Sequence, residues 1–306
     1  MARVRFAISI PQGVGVDGID PPAFAEHLRR AEVLGFESAW TQESTLSRSP
    51  TLAPNEALAY AAACTERLRL GCAVYVTPLH SPVHLAKAIG TLDQLSRGRI
   101  EVGIGTGGGG RMFSAFGIDG DRFVGRFTEG LALMKACWTE SKIEFDGDFW
   151  QVHGGAMEPK PFQKPYPPIW FGGSHPAALR RAVRHGKGFF GAGSSTTAQF
   201  ADQARTVRAA LVETGRDLAS FQIAKRVYVT IDDDPERGRR RTDEALEHHY
   251  GRSGLVAVAV TGRPDDCVSG LREVADAGAE LIQLNTLFDD SVQMERLAAE
   301  VIPRLG

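Results

Sequence analysis

The sequence predicts an α/β fold, a (β/α)8 TIM barrel forming one domain over residues 1–306, on three observations. Short apolar runs of strand length alternate with longer runs of helical period, as expected for parallel strands joined by crossover helices. Glycine falls at four helix-to-strand junctions, Gly35, Gly98, Gly186 and Gly278, where a residue without Cβ relieves a left-handed helix cap. The strand-to-helix loops are longer and more varied than these returns, which places the chemistry at the carboxyl ends of the strands.

The strands are expected at Val4 to Ile10, Ser38 to Thr41, Leu70 to Val76, Ile100 to Ile104, Ile169 to Phe171, Gly188 to Gly191, Ile223 to Ile231 and Leu281 to Asn285. Their near-unbroken apolar character suits strands covered on both faces. Helical periods follow at about Pro22 to Leu34, Asn55 to Thr65, Pro82 to Ser96, Phe123 to Trp138, Pro176 to His185 and Thr197 to Glu213, then Asp234 to Tyr250 with Pro264 to Ala277, and Ser291 to Arg304. In the third of these, Val83, Leu85, Ala86, Ile89, Leu92 and Leu95 recur at spacings of three and four. One segment, 139–168, breaks the rhythm, at about thirty residues long for a barrel loop. It predicts a hairpin turning at Asp146-Gly147 and an extended return stiffened by Pro159, Pro161, Pro165, Pro167 and Pro168. With Phe149, Trp150 and Tyr166 this aromatic flap is either a lid over the barrel mouth or cladding on its side.

A chain of 306 residues that is 43% hydrophobic and 24% charged has ordinary globular composition. The net charge of −2 provides no basic field for a polyphosphate backbone, which argues against nucleic acid as a partner. Arg237 and Arg239 to Arg241 cluster inside a helical pattern and read as a solvated face. Cys64, Cys72, Cys137 and Cys267 form no CxxC pair and sit among small apolar residues, as reduced thiols of a cytoplasmic protein do. The apolar run after Arg3 and Arg5 stops at Pro11 and is too short for export or spanning, so no membrane association is expected.

Two glycine patterns imitate a dinucleotide fingerprint. Gly13, Gly15 and Gly18 precede a helix that starts only after Asp20-Pro21-Pro22, and Gly103, Gly105 and Gly108 precede none before about Asp121. Without a helix opening at the last glycine, the pyrophosphate lacks its amide cradle. Gly107 to Gly110 instead invite close approach of a ligand to the backbone. A better anion site is Phe171-Gly172-Gly173-Ser174-His175-Pro176, a strand ending in two glycines, with Ser174 as the expected cap and Pro176 opening a helix. No metal is expected, since the first strand ends Ser9-Ile10-Pro11-Gln12 and offers no ligands. Nor does a GxSxG elbow or a based cysteine point to nucleophilic catalysis.

The order of AEVLGFESAW at 31–40, LGCAV at 70–74, AKAIGTLDQLSRGR at 86–99, GIGTG at 103–107 and PPIWFGGS at 167–174 resembles the luciferase-like monooxygenase superfamily, in its coenzyme F420-dependent oxidoreductase branch. The resemblance implies a barrel with a flavin-type ring across the mouth. The phosphate would sit at Gly172, Gly173 and Ser174, the bulge under the ring at Ala73, Val74 and Tyr75, and an acidic position at Glu43, with Gly107 and Gly108 in the loop beside it. The chain departs from relatives at Ser44, where histidine is frequent, and at Gly108, where some carry glutamate. Hydride transfer places few demands on side chains beyond positioning. The proton has three candidate sources, Glu43, His80 and water, while His153, His248 and His249 read as surface residues. The expected activity is hydride exchange between F420 and a small-molecule substrate. An FMN-dependent monooxygenase is the alternative, and a flavin-binding protein without turnover the third reading. A homodimer is a further expectation.

Overall fold

The computed structural model describes residues 4–47, 49–107 and 111–305. Strands β1 (Arg5–Ser9), β2 (Ser38–Thr41), β3 (Arg69–Val76), β4 (Ile100–Gly105), β7 (Ile169–Gly172), β8 (Gly188–Gly191), β9 (Gln222–Ile231) and β11 (Leu281–Asn285) pair in that order, all in parallel. β11 pairs with β1 through Arg5↔Leu281 to Ile8↔Leu284, so the barrel is closed and these eight strands are the expected ones within a residue or two. Helices α1 (Pro21–Val33), α2 (Pro54–Cys64), α3 (Pro82–Leu95), α5 (Phe123–Thr139), α6 (Pro176–His185), α7 (Thr197–Glu213), α8 (Pro235–Tyr250), α9 (Pro264–Asp276) and α10 (Asp290–Arg296) clad it. Their starts are built from side chains that accept first-turn amides, Asp20 from Ala23 at 3.1 Å and Thr196 from Gln199 at 3.2 Å in a full capping box. Outward strand residues such as Ile8, Leu70 and Val102 are fully buried under the helices, each worth roughly 1.5–3 kcal/mol in burial.

Inward residues follow the period of two and form a separate cluster of Ala7, Trp40, Trp170, Phe190, Ala224 and Leu281. Trp40 meets Trp170 edge-on at 6.0 Å and Phe190 at 4.8 Å, which closes the barrel beneath its mouth with an aromatic floor. The rings fit because the neighbouring inward positions lack side chains. A Cβ on Gly71 would lie 2.4 Å from Trp40 and one on Gly188 2.5 Å from Trp170. Below the floor, the Glu101 carboxylate accepts from the Trp170 indole at 2.6 Å and pairs with Arg69.

Above the floor β3 bulges. Its register with β4 slips between Cys72 and Tyr75, where the Ala73–Val74 peptide is cis. The bulge occupies space that glycines leave open: a Cβ on Gly103 would sit 2.2 Å from the Cys72 carbonyl oxygen, one on Gly105 2.7 Å from Val74, and one on Gly172 2.9 Å from Val74. Gly103 and Gly105 therefore make room for the protein's own bulge, Gly103 for the Cys72 carbonyl and Gly105 for the Val74 side chain.

The segment 139–168 does contain a hairpin, β5 (Ile143–Asp146) with β6 (Gln151–Gly155), but the turn runs over 147–150 and not through a two-residue Asp-Gly loop. Glu129 of α5 decides this by accepting the amides of Asp148, Phe149 and Trp150 at 2.8–2.9 Å. The proline-rich return packs along α3, where Gln163 Nε2 donates to Asp93 and to the Ile100 carbonyl at the lower edge of the barrel. The flap is thus cladding on the barrel's side.

Four further expectations are corrected. A ninth strand, β10 (Ala259–Gly262), pairs with the outer half of β9, from Tyr228 to Ile231, in a stretch where no strand was expected. A short helix α4 (Arg111–Ala115) opens soon after the glycine run, well before Asp121. Gly35, Gly98 and Gly278 do adopt positive φ, whereas Gly186 is extended at φ −102 and is glycine because a Cβ would meet Phe171 at 2.7 Å. The last helix becomes a π-turn over Leu297–Val301 and then a 3-10 turn, since Pro303 has no amide and its ring clashes with an α-helical carbonyl.

Gly103→Ala is expected to lower stability by about 2–3 kcal/mol through overpacking of the bulge. Gly13→Ala, with nothing within 4 Å, should stay within about 0.5 kcal/mol. Urea denaturation midpoints measure both, and equal midpoints would show that the bulge yields freely.

Candidate active site

The carboxyl ends of the strands open into two cavities. One, of 360 Å³, is bounded by Ala73 and Val74 of the bulge, by Gly105 and Gly107, by Gly172, Gly173 and Ser174, and on the far side by Ser194, Ser195 and Arg226. The other, of 570 Å³, lies over β1, β2 and β11 and is lined by Gln12, Gln42, Glu43, Tyr228 and Asn285 together with His248 and His249. Gly13 and Gly15 of the false fingerprint also line this second cavity.

The structure gathers Ala73, Val74, Gly107, Gly172, Gly173 and Ser174 around the first cavity, whereas Gly108 lies outside the described residues. Tyr75 is a correction. Its side chain is fully buried away from the mouth and its hydroxyl donates to Asn55 Oδ1 at 2.7 Å, so only its backbone belongs to the bulge. Ser174 is a second. The cap of α6 is His175, whose Nδ1 accepts from the Ala177 amide at 3.2 Å, and the exposed Ser174 hydroxyl is left unengaged among the described residues. Gly173, at φ +145, holds a backbone conformation that side chains resist, and a Cβ there would press on Ala178 at 3.1 Å. The helix dipole of α6 therefore faces a cradle open to an anion.

Glu43 lies in the wall of the second cavity with its side chain 4% exposed. One carboxylate oxygen accepts the Val76 amide at 2.5 Å and the other meets His80 Nε2 at 2.6 Å. Glu43 thus anchors the end of the bulged strand, and His80, 28% exposed, connects it to solvent. The Cys72 thiol is held in its protonated form, pushed well up by burial and next by the Glu43 charge, which makes it packing material and not a nucleophile.

Sequence reasoning missed the opposite wall. Ala224, Arg226 and Tyr228 of β9 point inward, and the detectable signal was an arginine in phase with the inward positions of a largely apolar strand. It also missed Lys225, buried on the outer face, which donates to the carbonyls of Ala192 and of Ser195 (3.0 Å) and fastens the loop that bounds the first cavity. Burial, and then the Arg226 charge, bring its ammonium down from 10.5 to about 7. A neutral amine retains two N–H donors for these two carbonyls. His248 and His249 are exposed as expected, yet both face the second cavity. Although the residue is exposed overall, desolvation of its ring against the cavity wall and then the Arg226 charge lower the His249 pKa. Burial raises that of the Tyr228 hydroxyl, which shares a 2.7 Å hydrogen bond with Tyr250.

Fold and mouth together define a parallel barrel with a cavity over a bulged third strand, bordered by the glycine-serine turn that follows the fifth barrel strand. The chain belongs to the luciferase-like monooxygenase family, whose model matches residues 4–254. It is 26% identical to an F420-dependent glucose-6-phosphate dehydrogenase of Intrasporangium calvum over 93% of this chain and 95% of the relative. It is 31% identical to an FMNH2-dependent dimethylsulfone monooxygenase of Pseudomonas putida over 76% and 61%. The uncharacterized protein y4vJ of Sinorhizobium fredii is 33% identical over 52% of this chain, which spans about half (46%) of that relative's length. Among solved structures, the monooxygenase RslO1 from Streptomyces bottropensis superposes with TM-score 0.85 at 24% identity over 99% and 100% of the two chains. The coenzyme F420-dependent tetrahydromethanopterin reductase of Methanopyrus kandleri superposes with 0.80 at 20% over 100% of both. At these identities the structures speak for the fold.

Glu43→Ala should cost about 1–3 kcal/mol, because the Val76 amide is left without its acceptor. For Lys225, between pH 7 and 10.5 the unfolded chain holds the proton and the folded chain does not, so raising pH favours the folded state. Wild type should gain stability relative to Lys225→Met over this window, by up to about 1.4 kcal/mol per pH unit. Paired urea titrations test this, and a pH-independent difference would mean that the ammonium stays charged when folded.

Proposed function

We propose that this chain is an F420-dependent oxidoreductase that exchanges hydride between the deazaflavin and a small organic substrate in the cytoplasm. The observation that carries the reading is the cavity itself: Ala73 and Val74 of the bulge, Gly105 and Gly107, and Gly172, Gly173 and Ser174 before α6 border one open space, as a planar ring and a phosphate require. The choice of deazaflavin draws on the alignment with an F420-dependent dehydrogenase over nearly the full length of both chains. The residues fit such a group. Ala73 and Val74 would support the ring, while Gly172, Gly173 and Ser174 would hold the phosphate. When bound, F420 supplies the carbon that gives or takes the hydride.

The chain's own part is to hold, orient and handle the proton. Glu43 and His80 form the proton route of this reading, with the carboxylate at the wall of the larger cavity beside the ring's seat and the imidazole at solvent. The second reading, an FMN-dependent monooxygenase, draws on the 31% identity to the dimethylsulfone enzyme.

Fluorescence titration with F420 and with FMN separates the two. F420 is expected to bind more tightly, and a tenfold preference for FMN, about 1.4 kcal/mol, would reverse the choice. Ser174→Glu, at an exposed position, should weaken cofactor binding by more than about tenfold at unchanged melting temperature. Unaltered affinity would remove the phosphate from this seat.

A further inference from the structure

The inward wall opposite the bulge contains polar groups that the fold does not use. In the ring of eight barrel strands β9 stands four places from β3 in either direction, so Arg226 faces Ala73 and Val74 across the mouth. Arg226 pairs in register with Gln283 of β11, and Gln283 with Ala7 of β1, so all three point inward, one layer above Ala224 and Leu281 of the floor cluster. Gln283 is 0% exposed, yet neither its amide oxygen nor its amide nitrogen has a partner among the described residues. Arg226 Nε is buried and equally unpartnered, and the guanidinium has no ion pair among the described residues, only the Tyr228 ring at 5.5 Å.

Buried polar atoms left without partners, as in Gln283 and at the Nε of the half-buried Arg226, are costly unless a ligand completes them. The neighbouring groups cannot do so. Glu43 is engaged by Val76 and His80, and the Tyr228 hydroxyl by Tyr250. A guanidinium fork with an adjacent amide is the chemistry that recognises carboxylate, sulfonate or phosphate oxygens.

We propose that Arg226 and Gln283 form an oxyanion seat for the organic substrate, which is therefore a small acid held between the bulge and β9. This rests on the reading of the bulge as the ring's support, because only then does the far wall face the reacting side of the ring. The seat fixes the acid group at the barrel centre and leaves the remainder of the substrate to extend into the larger cavity beside Tyr228.

Acetate, benzoate, methanesulfonate and inorganic phosphate are titrated calorimetrically into the purified protein with and without F420, and F420 affinity is measured for every variant. Wild type should bind at least one of these anions. Arg226→Met should weaken that binding at least about tenfold, or 1.4 kcal/mol, with Arg226→Lys intermediate. Gln283→Leu should weaken it by a smaller factor and leave F420 affinity within about twofold, while Arg226→Met should weaken F420 binding less than it weakens the anion. If Arg226→Met does not fold, Arg226→Lys and Gln283→Leu carry the comparison. The inference is overturned if wild type binds none of the four anions while F420 binds normally. It is overturned equally if Arg226→Met weakens F420 as much as it weakens the anion, which would assign the guanidinium to the cofactor. Anion binding lost in Arg226→Met, in a protein that never binds F420, would support the seat and sink the hydride-transfer reading instead.

Discussion

Everything at the mouth depends on side chains that are missing. Gly71 and Gly188 make room for Trp40 and Trp170, and those rings with Phe190 seal the barrel into a floor. Gly103, Gly105 and Gly172 then let the backbone of β3 bulge across its neighbours above that floor. Close packing at interior density leaves no slack for a methyl group at such contacts, so floor, bulge and cavity form one steric unit. The cavity exists because the bulge closes one side of the mouth while the short residues of β4 and β7 leave the middle empty.

Around this rigid centre the fold fastens its loops with buried polar side chains. Glu43 ties the end of β3 to His80, Lys225 ties the loop after β8 to β9, and Glu129 ties the hairpin turn to α5. Each replaces water at backbone groups that would otherwise be unsatisfied in partly buried loops, which is how irregular segments are held without a sheet or helix. The side-mounted hairpin leaves the mouth to these tethered loops. Among the described residues, none of the aromatic segment lines either cavity, whereas residues of the βα loops line both.

The eight barrel strands were legible because burial on both faces gives short apolar runs between turn residues, a strong one-dimensional signal. β10 was not, since four residues on the edge of β9 carry too little pattern to stand out from a loop. The glycine-serine turn before α6 was also readable, down to its position around the cavity. The capping residue was not, because a histidine that accepts through Nδ1 wins only once its rotamer is set by the surrounding fold. Tyr75 shows the same limit. A bulge shifts the inward and outward phase of a strand, and its hydroxyl followed Asn55 into the core.

What the sequence by itself determined is the class of fold, the end of the barrel that bears the site, and the set of glycines around it. All of these follow from local period and local conformational freedom. What only the tertiary structure decided is what those glycines accommodate and which polar groups face one another across the mouth. Arg226, Gln283 and Ala73 are far apart in the chain and meet because barrel closure fixes strand order and register. That closure is a long-range constraint, and no local pattern encodes which two strands will stand opposite each other.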